Sequence, residues 1–170
     1  MEPTVRRKKI VEILKNEQTA VRGSELASIF NVSRQVIVQD IALLRAAGNE
    51  IIATPQGYVL LSKTQNKYRK TIVSKHGKDE IKDELITIVD EGGTILDVIV
   101  EHNIYGQISG NIMVSSRRDV DEFMKKINED DTKPLSALTG GIHLHTIECK
   151  DEETMRRIEN ALFKKGYLLK

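Results

Sequence analysis

The chain has 170 residues, 39% hydrophobic and 30% charged, with a formal net charge of +1. That is the composition of a globular protein of one large or two small domains, not of a disordered chain. No apolar run reaches the roughly 20 residues needed to span a bilayer, and residues 1–7 lack the apolar core of a signal peptide. The single cysteine, Cys149, forms no internal disulfide and fits a reducing cytosol, so a cytoplasmic location without a membrane partner is expected.

The small net charge hides an asymmetry. Residues 1–68 hold 10 Lys+Arg against 6 Asp+Glu, whereas residues 69–170 hold 16 against 19. A basic front half suits contact with phosphates, and the acidic rear half should stay away from them.

In chain order, residues 6–17 carry Ile10, Val11, Ile13 and Leu14 with one-sided helical spacing. Arg6, Arg7, Lys8 and Lys9 at its start oppose the helix dipole, so they contact phosphate or form a solvated first turn. A second helix is predicted from about Ser24, with Leu26, Ala27 and Phe30 inward. Asn31 tolerates the left-handed backbone of the turn that follows. Ser33 is a natural N-cap for a third helix running to Ala47 and ending at Gly48. Val36 or Ile37, with Ile41 and Leu44, take its core positions, which leaves Arg34, Gln35, Val38 and Gln39 outward. In the major groove Arg suits guanine and Gln suits adenine, and Arg45 lies one turn beyond Ile41, within reach of a phosphate. Residues 50–54 and 58–61 flank Pro55-Gln56-Gly57 as a β-hairpin. Three helices and a hairpin make a winged helix-turn-helix, the shape that binds double-stranded DNA at an operator. The expected DNA-binding residues are Ser33, Arg34, Gln35, Gln39 and Arg45.

These residues closely resemble the N-terminal domains of bacterial repressors of the sugar-metabolism and biotin-repressor types. The likeness rests on Leu26-Ala27, Val32-Ser33-Arg34-Gln35, Asp40-Ile41, Leu44-Arg45 and Gly57-Tyr58.

A polar, aperiodic stretch at residues 62–67 separates the halves. The expected division is a DNA-binding domain at 1–62, a linker at 63–68 and a second domain at 69–170. Beyond the linker, strands are predicted at 69–75, 94–100, 108–114 and 141–149, with an edge strand at 167–169. Helices are predicted at 79–91, from Ser116 to 128, and at 152–164. The expected fold class is therefore α+β: the winged helix-turn-helix, then an α/β sandwich with helices on one face of a mostly antiparallel sheet.

Strand side chains alternate, so His143 and His145 share a face and can converge on one ion. His76 ends the first strand of this domain. Glu84 falls on the apolar arc of the next helix, where a carboxylate is costly to bury unless a cation or donor satisfies it, or else reaches water at the arc's edge. Together His76, Glu84, His143 and His145 offer three nitrogens and one oxygen, a set suited to nickel, zinc, cobalt or iron rather than calcium or magnesium. Nickel or zinc is the expected cofactor. No nucleophile elbow, phosphate loop or redox cysteine pair is present, and an enzyme is not expected.

The second half resembles the three-histidine domain found behind a winged helix in niacin-responsive transcriptional repressors. The likeness rests on His76 with Glu84 eight residues on, on residues 100–106 (Val-Glu-His-Asn-Ile-Tyr-Gly), and on residues 134–145 (Pro-Leu-Ser-Ala-Leu-Thr-Gly-Gly-Ile-His-Leu-His). Asn103 departs from the family, where proline is common. The resemblance implies a homodimeric repressor that senses nicotinic acid, controls genes of niacin uptake or NAD synthesis, and binds a transition metal at the four residues above. His102 either caps a strand end or, with Tyr105, lines the effector pocket and meets a carboxylate. A nickel- or zinc-sensing regulator is the alternative function.

Overall fold

The computed structural model describes residues 1–61 and 67–169. The chain divides into two compact units, Met1–Gln65 and Asn66–Lys170, and each is taken by itself. Residue 62, the end of the expected DNA-binding domain, and residues 63–66 of the expected linker lie outside the described residues. No helix among the described residues is long and apolar enough to cross a membrane.

In the first unit, α1 (Pro3–Asn16) begins three residues earlier than the apolar spacing predicts. Pro3 in the first turn explains this, because its fixed φ is already helical and its missing N–H is not needed there. Arg6, Ile10 and Leu14 form the buried stripe of α1. α2 (Gly23–Phe30) buries Leu26, Ala27 and Phe30. Asn31 closes it in the left-handed region at φ 49°, as the turn requires. α3 (Arg34–Ala46) is capped by Ser33, whose hydroxyl accepts the Val36 N–H at 3.4 Å, a contact worth about 1 kcal/mol. Ile37, not Val36, takes the fully buried position.

The hairpin consists of β1 (Ile51–Thr54) and β2 (Gly57–Leu60), antiparallel with Thr54 opposite Gly57. A third partner was not legible in the sequence: Val21, between α1 and α2, exchanges both backbone hydrogen bonds with Tyr58, at 2.9 and 2.8 Å. Gly57 makes room for it, since a Cβ there would sit 2.4 Å from the Val21 carbonyl oxygen.

The second unit is an antiparallel four-stranded sheet, order β3-β6-β4-β5, formed by β3 (Tyr68–Lys75), β4 (Thr94–His102), β5 (Gly106–Val114) and β6 (Ile142–Cys149). Its first strand starts at Tyr68, the last residue of the expected linker. Helices α4 (Ile81–Asp90), α5 (Arg117–Glu129) and α6 (Glu152–Lys164) supply Leu85, Ile88, Val120, Met155, Ile158 and Leu162 to a core closed by Ile72, Ile95, Ile112, Val114, Ile147 and Cys149 from the strands. Cys149 is thus a buried core side chain. The α+β class holds.

Three local features differ from the sequence reading. A 3₁₀ turn at Lys78–Glu80 precedes α4, which shortens the predicted helix. A second 3₁₀ turn, Leu135–Thr139, was not anticipated. The expected edge strand at 167–169 is a single bridge, Leu168 opposite Ser74, with Lys75 N–H donating to Tyr167 and Leu169 N–H to Val73.

Candidate metal centre and nucleic-acid interface

Alternation along β6 sends His143, His145, Ile147 and Cys149 to the helix-bearing face, and all four are buried. His143 and His145 therefore extend the core row rather than face water. Opposite them on β3 stand Ser74 and Ile72, also buried. Glu84 comes down from α4 with 1% of its surface exposed, so the sequence alternative of an arc-edge glutamate is excluded. His76 sits just past the end of β3. It is held there by Gly141, whose carbonyl accepts the His76 N–H at 3.3 Å.

The three imidazoles converge on one carboxylate oxygen. Glu84 Oε2 lies 2.5 Å from His76 Nε2, 3.2 Å from His143 Nε2 and 3.4 Å from His145 Nε2. The rings meet edge to face, His76 with His143 at 4.7 Å and His143 with His145 at 4.8 Å. The ligating atoms of His76, Glu84 and His143 all lie within 4.8 Å of one another, and His145 stands just outside this triad. Glu84 Oε1 is buried with no hydrogen-bond partner.

Each ring is oriented from its other nitrogen. Nδ1 of His76 bonds the Gly77 carbonyl at 2.9 Å, that of His143 the Gly141 carbonyl at 2.8 Å, and that of His145 the Asp97 carbonyl at 2.6 Å. A carbonyl only accepts, so each Nδ1 carries a proton and each Nε2 of a neutral ring presents its lone pair to the cluster. The Asp97 contact depends on an irregularity of the sheet. Between Ile95 and Ile99 the register of β4 against β6 shifts, freeing the Asp97 carbonyl for His145, while the Asp97 carboxylate takes the Thr146 N–H at 2.8 Å.

Electrostatics confirm the tension in this arrangement. Burial pulls the His145 and His76 pKa values down, but the Glu84 carboxylate outweighs it and holds both above the ordinary histidine value. Burial likewise pushes Glu84 up, yet the charge of His145 and the hydrogen bonds of the three rings hold it well below the usual carboxylate range. Without a metal, the cluster needs protons on buried rings to balance Glu84. A divalent ion would satisfy all four groups at once. With ligand distances of about 2.0–2.1 Å, tetrahedral donors stand about 3.3 Å apart. The His143 and His145 separations from Glu84 already match that spacing, and His76 would have to draw back slightly.

In the first unit, Arg34, Gln35, Val38 and Gln39 are all exposed along α3, the disposition a recognition helix requires. Ser33 is engaged as the cap. Arg45 is exposed, but its Nε donates to the Ile51 carbonyl at 2.7 Å, so it also ties α3 to the hairpin. Arg6 departs from expectation. It is turned inward rather than to the surface: it is buried at 8% exposure and paired with Asp40 of α3, Nε to Oδ2 at 2.5 Å. Arg7 reaches the other Asp40 oxygen at 3.5 Å.

Residues 6–59 match the HTH domain family and residues 69–170 match the 3H domain family. The probable transcription repressor NiaR of Thermotoga maritima is 52% identical over 164 residues, which cover 96% of this chain and 93% of that protein. The transcription repressor NadR of Bacillus subtilis is 43% identical over 168 residues, covering 97% and 93%. The chain belongs to the niacin-responsive transcription repressor family. It is a DNA-binding transcription repressor, and the metal-sensing alternative draws no support from these relatives.

The repressor's remaining histidine lies apart from the cluster. His102 sits at the tip of the β4–β5 hairpin, where its Nδ1 accepts the N–H groups of Ile104 and Tyr105 at 3.1 and 3.4 Å. Its ring stacks on Tyr105 at 5.1 Å, and Tyr105 is 75% exposed. An open pocket of about 420 Å³ does adjoin the cluster, lined by Lys75, His76, Lys78, Ser136 and Gly141 among others, and neither His102 nor Tyr105 borders it. Two residues escaped sequence reasoning altogether. Asp97 gave no signal, because only its backbone touches a ring. Tyr167, whose ring lies 5.1 Å from that of His76, looked like part of an edge strand.

Proposed function

We propose that this repressor binds a divalent transition metal, nickel or zinc, through His76, Glu84, His143 and His145, and that nicotinic acid is the signal read at that centre. The observation that carries the reading is the convergence of three Nε2 atoms on Glu84 Oε2 in a site from which water is nearly excluded. Four protein ligands close a tetrahedral zinc site, so an exogenous group would enter here as a further ligand, by expansion beyond four-coordination, from the side on which the neighbouring pocket opens. A bound metal supplies a Lewis-acidic position for a carboxylate or pyridine nitrogen. The chain's own residues do the rest. The Nδ1 contacts fix ring orientation, Glu84 balances the charge, and Lys75 and Lys78 at the neighbouring pocket favour an acid over its amide.

The repressor acts in the cytoplasm as a homodimer on operator DNA of genes for niacin uptake or NAD synthesis. Two recognition helices then read half-sites about one helical turn, about 34–36 Å, apart. Nicotinic acid shifts operator affinity only so far as it binds the DNA-competent dimer better than the other arrangement. His102 and Tyr105 retain a part in effector binding only if the hairpin tip meets the ligand.

The test is calorimetric titration of nicotinic acid into metal-loaded and metal-stripped protein, with nicotinamide as control. Binding of the acid, not the amide, to the loaded form alone supports the proposal. Equal binding to the stripped protein overturns the link to metal, and no binding in either state removes nicotinic acid as the signal.

A further inference from the structure

The last turn of the chain makes contact with both elements that carry the metal ligands. After α6, Gly166 turns the backbone at φ +77° and sends residues 167–169 along β3. The Tyr167 carbonyl accepts the Lys75 N–H, and the Leu169 N–H donates to Val73, both at 2.9 Å. This pins Tyr167 beside the residue that precedes His76. Its ring meets the His76 ring at 62° with centroids 5.1 Å apart. Its hydroxyl donates to Asp83 Oδ2 at 2.8 Å, and Asp83 immediately precedes Glu84 on α4. Lys165 holds the same carboxylate at 2.8 and 2.9 Å. One side chain thus spans the gap between the strand end bearing His76 and the helix bearing Glu84.

We propose that Tyr167 is a positioning residue for the metal centre, holding His76 against the Glu84 side of the cluster, so that the C-terminal segment 165–169 sets metal affinity without touching the metal. His76 needs such support more than the other two rings do. His143 and His145 belong to the central strand β6, hydrogen-bonded on both sides, whereas His76 lies beyond the end of an edge strand and its Nδ1 bonds only the carbonyl of its own neighbour, Gly77. Without Tyr167 the ring has a free side and its backbone is held chiefly by Gly141.

This inference rests on the metal reading above, and the two are separable by experiment. Cobalt(II) alone is titrated into the full-length protein, with affinity and visible ligand-field bands recorded for wild type, Tyr167→Phe and Tyr167→Leu. Outer partners of metal ligands characteristically contribute about 10- to 100-fold in affinity. Tyr167→Leu should therefore bind about 10- to 100-fold more weakly, with shifted band positions. Tyr167→Phe, which keeps the ring and loses only the hydroxyl contact, should largely restore the wild-type spectrum with a loss of about 3- to 10-fold. Melting of the metal-free variants separates positioning from folding: a purely structural role lowers the melting temperature and leaves the cobalt bands and affinity unchanged, which overturns the inference. If wild-type protein shows no cobalt bands, the metal reading falls and this inference with it.

Discussion

Arg6 on α1 and Asp40 on α3 form a buried ion pair, Nε to Oδ2 at 2.5 Å, with Arg7 Nη1 3.5 Å from the other carboxylate oxygen. The pair locks α1 against α3, the helix that carries the exposed Arg34, Gln35 and Gln39. Removing one member of a buried pair strands the other's charge, at a cost of about 3–5 kcal/mol. Asp40→Ala should lower the stability of the first unit by about that much, read by urea denaturation of the full chain. The double replacement Arg6→Met with Asp40→Leu should cost clearly less than Asp40→Ala alone. Equal costs would mean that the pair contributes packing rather than charge compensation.

Along α3, Gln35 and Gln39 are exposed, as base-reading residues must be, while Arg45 is shared between the surface and the Ile51 carbonyl. Gln35→Ala or Gln39→Ala should weaken operator binding by about 1–3 kcal/mol and relax base preference, with little effect on random DNA. Arg45→Ala should weaken all sequences alike and reduce the salt dependence. It should also destabilise the first unit by about 1 kcal/mol, because a hydrogen bond to the hairpin is lost. Binding measured on operator and scrambled duplexes at two salt concentrations decides the matter. Equal specificity losses from all three variants would relocate the reading surface.

How much of this was legible in the sequence depends on the range of the interaction. Ser33 as a cap and Asn31 as a left-handed turn are local chemistry, visible from one or two neighbours. His143 and His145 share a face by strand alternation, and helical spacing puts Glu84 on the apolar arc while leaving open whether it is buried or reaches water at the arc's edge; the structure decides for burial. Arg6 was misread because its partner is 34 residues away; a basic first turn looks the same whether it faces phosphate or a buried aspartate. Val21 acts through a backbone pairing with Tyr58, and backbone pairing leaves no signature in side-chain type. The strand character of residues 167–169 is legible, but not that the Tyr167 side chain reaches His76 and Asp83, both distant in sequence. Asp97 reaches His145 through a register shift that no periodicity discloses.

Gly141 joins sequence and site directly. It adopts φ +93°, and a Cβ there would lie 2.4 Å from the His76 carbonyl oxygen, far inside contact distance. Its own carbonyl meanwhile bonds the His76 N–H and the His143 Nδ1. Gly141→Ala should displace both rings together, costing about 1–3 kcal/mol in stability from backbone strain and weakening metal binding at least about 10-fold. Gly140→Ala is the comparison, since φ is +61° there but a Cβ meets nothing within 4 Å; it should show the strain and keep the metal. Chelator competition on both variants gives the answer, and matched affinities would show that the tight approach to His76 is dispensable.

The pH dependence of stability follows from the same cluster. In metal-free protein, Glu84 raises the pKa values of His76 and His145 against the opposing effect of burial. Their contribution to stability is therefore complete below the unfolded histidine value of about 6.5 and is lost as pH rises through the raised folded values. Glu84, held low by the rings despite its burial, contributes above about pH 4.5 and is lost as pH falls through its folded value. The metal-free cluster is thus most stabilising between these limits and weakens toward pH 8. Metal binding runs the other way, because it requires neutral imidazoles and displaces their protons. With metal at about 100 times its Kd the loaded form gains about 2.7 kcal/mol. The gap in melting temperature between loaded and stripped protein should accordingly widen from pH 6 to pH 8, and metal addition at pH 6 should release protons to the buffer. A gap that narrows over that range would show that the ion is held by groups other than His76, Glu84, His143 and His145.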